Sequence, residues 1–342
     1  MTRLGNGLVL LLTLSVAPLA CGPNSAGGSG SGGGGNAGSG AHTGGSGGIP
    51  SGTGGAGAGA GGAGVGMGGA GAGGQIVADP CDERAKLIYL VDTDNSFWSF
   101  KPDAMPPLVR IGTLNCPVME GPPPFPGLPG AKPTPFSMAV DRSATAWVLY
   151  SDGTIWKVDT SNAACTATTF QKNQMGFETF GMGFVSNAPG SEMETLYIAG
   201  GAHDPLTGAP TGPIRLGTLN VMSLGISPLG NVTGNPELTG TGDAELWGFY
   251  PDVTPAKVAK LDKMTGAETM MFPASMISGM PQAWAFAFWG GDFYMFLKKM
   301  GDPSTVIYKM NRMTGTMSTF MANTGRTIVG AGVSTCAPIV IG

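Results

Sequence analysis

The sequence predicts an all-β protein, a five-bladed β-propeller closed by both chain termini, with six blades as the alternative count. Three observations carry this. Residues 147–159, WVLYSDGTIWKVD, set apolar Trp147, Leu149, Ile155 and Val158 on either side of Asp152-Gly153, which supplies the positive φ angles of a two-residue type I′ hairpin turn. Variants of that unit recur along the chain at roughly blade-sized intervals. Finally, residues 327–333, TIVGAGV, are strand-like and lie where they can supply the innermost strand that the first blade lacks. Such a closure removes the exposed sheet edges that invite aggregation.

The copies align aromatics and turn residues together. Counting back 58 residues, Trp98 takes the place of Trp156, Tyr89 that of Trp147, and Asp94-Asn95 that of Asp152-Gly153. Counting forward 100, Trp247, Tyr250 and Asp252 replace Trp147, Tyr150 and Asp152. After a turn three residues longer, Lys260-Leu261-Asp262 replaces Lys157-Val158-Asp159. A further 49 residues on, Leu261-Asp262-Lys263-Met264-Thr265-Gly266 becomes Met310-Asn311-Arg312-Met313-Thr314-Gly315. A β-sandwich also places turns at short, regular spacing. It gives no reason for turns and aromatics to recur together.

Taken in order, the chain divides into residues 1–20, 21–74 and 75–342. The first segment reads as a lipoprotein signal peptide: Arg3, then an apolar run at 8–17 too short for a membrane span, then Pro18-Leu19-Ala20-Cys21-Gly22. The last five residues resemble a bacterial lipobox, which implies acylation of Cys21, although Pro18 stands where the motif prefers Leu. Plain secretion is the alternative. Gly22 is not Asp, which by the enteric rule favours the outer membrane. Residues 22–74 are nearly all Gly, Ala, Ser and Thr, with no charged side chain, and the composition predicts a disordered tether. Its 53 residues (74 − 21) would have a root-mean-square reach of about 40 Å.

The blades follow. The first is predicted from strands at 87–91, 97–100 and 108–114, completed by the C-terminal strand. Residues 122–135, rich in Pro and Gly, form a loop. Blades two to five are assigned to 136–170, 177–233, 237–272 and 284–321, with a Gly/Pro insertion at 200–213 in the third. Gly290-Gly291 sits between two apolar runs of the fifth. The 20 methionines are expected to fill gaps in the core.

With Cys21 set aside, four cysteines remain, and these allow three connectivities. The closure chooses among them. If the terminal strand pairs inside the first blade, Cys336 lies just past its end and Cys81 just before the next strand, on one face of the ring. A Cys81–Cys336 bond would lock the closure, contributing about 3–5 kcal/mol for so long a loop. Cys116 and Cys165 then pair by elimination.

Composition narrows the function. The 18 basic and 22 acidic residues give a net charge of −4 without any basic run, so nucleic acid is not an expected partner. Loss of the leader removes Arg3 and shifts the balance to −5 (17 − 22). Only His42 and His203 are available, too few for a histidine-rich metal site. His203-Asp204 lies in the insertion of the third blade and reads as an idle loop pair. Asp92, Asp94 and Asn95 could offer oxygens to Ca²⁺, but they coincide with a hairpin turn, and no cofactor is assigned. Ser151-Asp152-Gly153-Thr154-Ile155-Trp156 resembles a compressed sialidase Asp-box without the arginine triad. Asp262-Lys263-Met264-Thr265-Gly266 resembles the turn of quinone-cofactor propellers without the docking Trp, and reads as structural. Trp98, Trp147, Trp156, Trp247, Trp284 and Trp289 could line a sugar-binding face, but packing between sheets accounts for them more simply.

The lipobox-like start, the tether, and the stretches PFSMAVDRSATAWVLYSDG, GMGFVSN, ELTGTGDAELWGFYPD, AWAFAFWGGDF and IVGAGVSTCAP together resemble a myxobacterial family of surface lipoproteins. The resemblance covers roughly residues 81–338 and implies a propeller head in the cell envelope, with no activity to carry over. The leading expectation is a monomeric, membrane-tethered, non-catalytic module that binds an envelope protein or a glycan. A hydrolase or lactonase with carboxylates or Ca²⁺ in the central channel is the second, and a purely structural envelope protein the third.

Overall fold

The computed structural model describes residues 81–121, 130–204 and 208–340. Cys21, the leader, the tether and most of the Pro/Gly loop fall outside them. Twenty strands form five antiparallel four-stranded sheets. The first blade joins β1 (Ile88–Asp92), β2 (Ser96–Phe100) and β3 (Leu108–Thr113) to the terminal strand β20 (Ile328–Val333), which pairs with β1 as the innermost strand. The second holds β4 (Pro135–Val140), β5 (Thr145–Tyr150), β6 (Ile155–Asp159) and β7 (Cys165–Ala167). The third holds β8 (Thr179–Ser186), β9 (Glu194–Gly201), β10 (Arg215–Leu219) and β11 (Ile226–Asn231). The fourth holds β12 (Glu237–Gly240), β13 (Leu246–Tyr250), β14 (Lys257–Leu261) and β15 (Glu268–Pro273). The fifth holds β16 (Pro281–Trp289), β17 (Asp292–Lys299), β18 (Val306–Asn311) and β19 (Met317–Met321). The innermost strands touch in the cyclic order β20, β4, β8, β12, β16 and back to β20, so the ring is closed and has five blades.

Alternation along each strand explains the core. In β1, Ile88 and Leu90 face the fifth blade, whereas Tyr89 and Val91 face the second. Both faces of the strand are covered, so the whole IYLVD run is buried. The same division yields five apolar clusters, one between each pair of neighbouring blades. Aromatic contacts knit them: Trp147 meets Phe184 edge-on between blades two and three, and Trp247 packs on Phe293 between four and five.

Both expected disulfides are present. Cys81–Cys336 joins the entry to the first blade with the residues after β20, at a Cα–Cα distance of 5.8 Å. Cys116–Cys165 ties the outer side of the first blade to β7 of the second, at 5.1 Å.

Two expectations need correction. The Asp152-Gly153 turn is not a two-residue type I′ turn. Tyr150 N–H donates to Thr154 O (2.8 Å), enclosing three residues, and only Gly153 has a positive φ, +81°. Asp152 instead accepts from the Thr154 amide and hydroxyl, which fixes the turn from its side chain. The type I′ geometry occurs at Gly290-Gly291, where φ is +64° and +87° and Trp289 pairs with Asp292. The methionines are also misplaced by the core argument. Met138, Met182, Met295 and Met310 are buried, but Met105, Met119 and Met222 are 96%, 85% and 90% exposed. Met264 and Met313 stand at the tips of the two Thr-Gly turns, and Met270 and Met271 lie on the outermost strand β15, where no neighbouring blade covers them.

The Tyr250 hydroxyl is fully buried and has no hydrogen-bond partner among the described residues. Tyr250→Phe should therefore stabilise the domain, by about 1 kcal/mol, because it removes an unsatisfied polar group while keeping the ring. Equilibrium urea unfolding checks this; a loss of stability would mean that the hydroxyl has a partner in solution.

Candidate functional site

The innermost strands run in one direction, from one mouth of the channel to the other. Their small residues let the backbones close in. A Cβ on Gly181 would lie 2.3 Å from Pro236 O, and one on Gly332 about 3 Å from the Ala139 backbone.

At the far mouth, the segment after β20 crosses the ring. Thr335 Oγ1 donates to Glu194 Oε2 (2.8 Å), and Arg142 to Thr335 Oγ1 (3.2 Å). Gly290 N–H donates to Pro338 O (2.7 Å), a Cβ on Gly242 would meet Thr335 O at 2.6 Å, and Cys336 is bonded to Cys81. These contacts come from all five blades. Ser334, Thr335 and Ala337 are buried, so the tail acts as a plug.

The near mouth holds a cavity of about 350 Å³ where the innermost strands begin. Pro135 and Phe136 come from β4, Phe180 and Gly181 from β8, Glu237 from β12, Ala283 and Trp284 from β16, and Val329 from β20. Thr179, His203, Asn235 and Gln282 add polar groups. His203 lies in the insertion expected to be idle, yet the structure places it on the cavity wall. Its Nε2 lies 2.7 Å from Asn235 Oδ1 and its Nδ1 3.4 Å from Thr179 Oγ1. Its backbone N–H donates to Glu178 Oε2 (3.3 Å). Asn235 in turn donates twice to Asp252 Oδ2 (2.9 and 3.0 Å), and its carbonyl accepts from Trp284 Nε1 (3.2 Å).

Glu237 is the feature that sequence reading missed. It opens β12, is 3% exposed, and accepts a hydrogen bond from Ser137 Oγ of the second blade (2.9 Å). Burial pushes its carboxyl well above the usual carboxylate range, against the hydrogen bonds from Ser137 and the Met182 amide. The available signal was a charged residue at the start of a strand whose neighbours are all core-forming, ELTG.

The other candidates are structural. The Asp92 carboxylate accepts from the Asp94 and Ser96 amides and from Trp98 Nε1, at 3.0, 2.8 and 3.1 Å. Asp141 repeats the arrangement with Ser143, Thr145 and Trp147. Asp262 and Asn311 cap their Thr-Gly turns alike. Among the described residues, no group of three or more His, Cys, Asp or Glu is placed to hold a metal ion. Of the six tryptophans, Trp284 lines the cavity. Trp147, Trp156, Trp247 and Trp289 pack between blades, and Trp98 lies beneath the Arg326 guanidinium.

No protein-family profile matches the chain, and no curated protein matches it. Among solved structures it is similar to TolB from Acinetobacter baumannii, with 9% identity and a TM-score of 0.40, over 69% of this chain and 52% of that one. The chain thus spans about half the length of that structure. The propeller assignment rests on the five sheets themselves.

Glu194, beneath the plug, has its pKa raised to about 7, chiefly by burial; hydrogen bonds from the Arg142 amide and Thr335 oppose the rise. The native state therefore holds this proton more tightly than the unfolded chain, and stability should fall as pH rises from the ordinary Glu value toward 7. Glu194→Gln should flatten that slope. Melting temperatures of both proteins across the window check it; parallel curves would refute it.

Proposed function

We propose that this chain is an extracytoplasmic, lipid-anchored and non-catalytic binding module of the cell envelope. In this reading Cys21 carries the lipid, residues 22–74 are the spacer, and the near mouth of the propeller holds the ligand. One observation carries the proposal: five strand starts converge on a mainly apolar cavity with a few placed polar groups, the usual character of a ligand site. The volume suits one small molecule or the tip of a larger partner such as a glycan. The polar side chains on the wall hold one another in place, as the His203, Asn235 and Asp252 chain illustrates. A lactonase-type reading needs carboxylates from several blades in the channel, and Glu237 is the one carboxyl lining the cavity among the described residues.

Ala283→Trp should fill the cavity while leaving the blades intact. Mass spectrometry of small molecules released from purified wild-type protein should find species absent from the variant; identical profiles would refute the pocket. The anchor is tested separately. Wild-type protein should fractionate with membranes and carry acyl mass on Cys21, and Cys21→Ser should abolish both. An unmodified wild-type chain in the soluble fraction would leave a secreted binding protein.

A further inference from the structure

The cavity pairs a buried acid with aromatic walls, and this pairing points to the charge of its occupant. We propose that the cavity selects a small organic ammonium ion, with its nitrogen against Glu237 and its hydrocarbon body against Phe136, Trp284 and Val329. This rests on the pocket reading above and names the ligand class for it.

The argument begins with what Glu237 lacks. The groups facing it are neutral: the Ser137 hydroxyl from β4 and the Met182 amide from β8. No Lys or Arg lines the cavity among the described residues. The titratable groups nearby lie in the wall network: His203, with Glu178 and Asp252 bound to His203 and Asn235. Lys298 donates to Gln282 at the rim (2.8 Å), away from the carboxyl. A carboxyl buried without a cation keeps its proton, because the charged form would lose its hydration with no compensation. An entering ammonium ion brings the missing charge. The Glu237 proton then leaves to solvent and a carboxylate–ammonium pair remains, so charge is conserved. The Phe136 and Trp284 rings in the lining favour the same cation. A neutral ligand gains only an ordinary hydrogen bond, and an anion gains a hydrogen bond from the protonated carboxyl but finds no cation in the lining to offset its own desolvation.

Isothermal titration calorimetry tests this with 2-phenylethylammonium, its neutral isostere 2-phenylethanol, and phenylacetate. Titrations run near pH 6, in two buffers of different ionisation enthalpy, report proton release. The amine should bind about tenfold or more tighter than the alcohol, and its binding should release protons. In Glu237→Gln the preference and the proton release should both disappear. The wild-type comparison decides the matter even if that variant fails to fold. Equal binding of the alcohol without proton release, or preference for phenylacetate, would overturn the cation assignment and leave the pocket standing. Failure of all three probes to bind at millimolar concentration would also overturn the cation assignment, while the pocket itself stands or falls with the Ala283→Trp comparison.

Discussion

The pairing of β20 with β1 is the constraint on which the rest of the molecule depends. Without it, the first blade would present β1 as an edge, with Ile88 and Leu90 facing an incomplete interface. The fifth and second blades would also lose the strand that both of them touch. Gly330 and Gly332 make this approach possible. A Cβ at Gly330 would come within 2.9 Å of Val91 and 3.2 Å of the Ser137 backbone. A larger residue at either position would push the terminal strand away from β4. The five interfaces stand or fall together, because a ring cannot loosen at one joint without opening elsewhere.

The same inward crowding determines where a ligand can sit. Glycines bring neighbouring innermost strands into close contact, and the cavity lies at the near mouth, where the strands begin. At the far mouth the tail fills the opening and contributes its own polar contacts. The two ends differ in their surroundings: each acid accepts from one backbone amide and one hydroxyl, but Glu194 lies beneath the tail, with the Arg142 side chain bonded to the same Thr335, whereas Glu237 borders an aromatic-lined cavity. The asymmetry follows from connectivity, since the strand that closes the ring also supplies the plug.

The blade register was legible because each repeat carries the same local demands. Asp92 and Asp141 cap turns and reach a Trp on the next strand, and Asp262 and Asn311 organise Thr-Gly turns. The disulfide pairing was legible for another reason: once the terminal strand is placed in the first blade, Cys81 and Cys336 have nowhere else to be. The turn at Asp152-Gly153 was misread because the dipeptide suits several turn types, and cross-strand hydrogen bonds choose among them. The methionines were misread because hydrophobicity alone does not say whether a neighbouring blade lies above a given position. The cavity was not legible at all. His203, Glu237 and Trp284 meet across blades, and no spacing in one dimension reports a meeting at the axis of a ring.

The Cys81–Cys336 bond has a mechanical consequence. Residue 81 is where the preceding chain enters the ring, so tension arriving along that chain reaches a covalent bond before it reaches any strand pairing. The load passes to Cys336 and the plug, which all five blades grip, and is spread around the ring instead of being concentrated on the hydrogen bonds between β1 and β20. A propeller pulled from this point resists unzipping at its own seam.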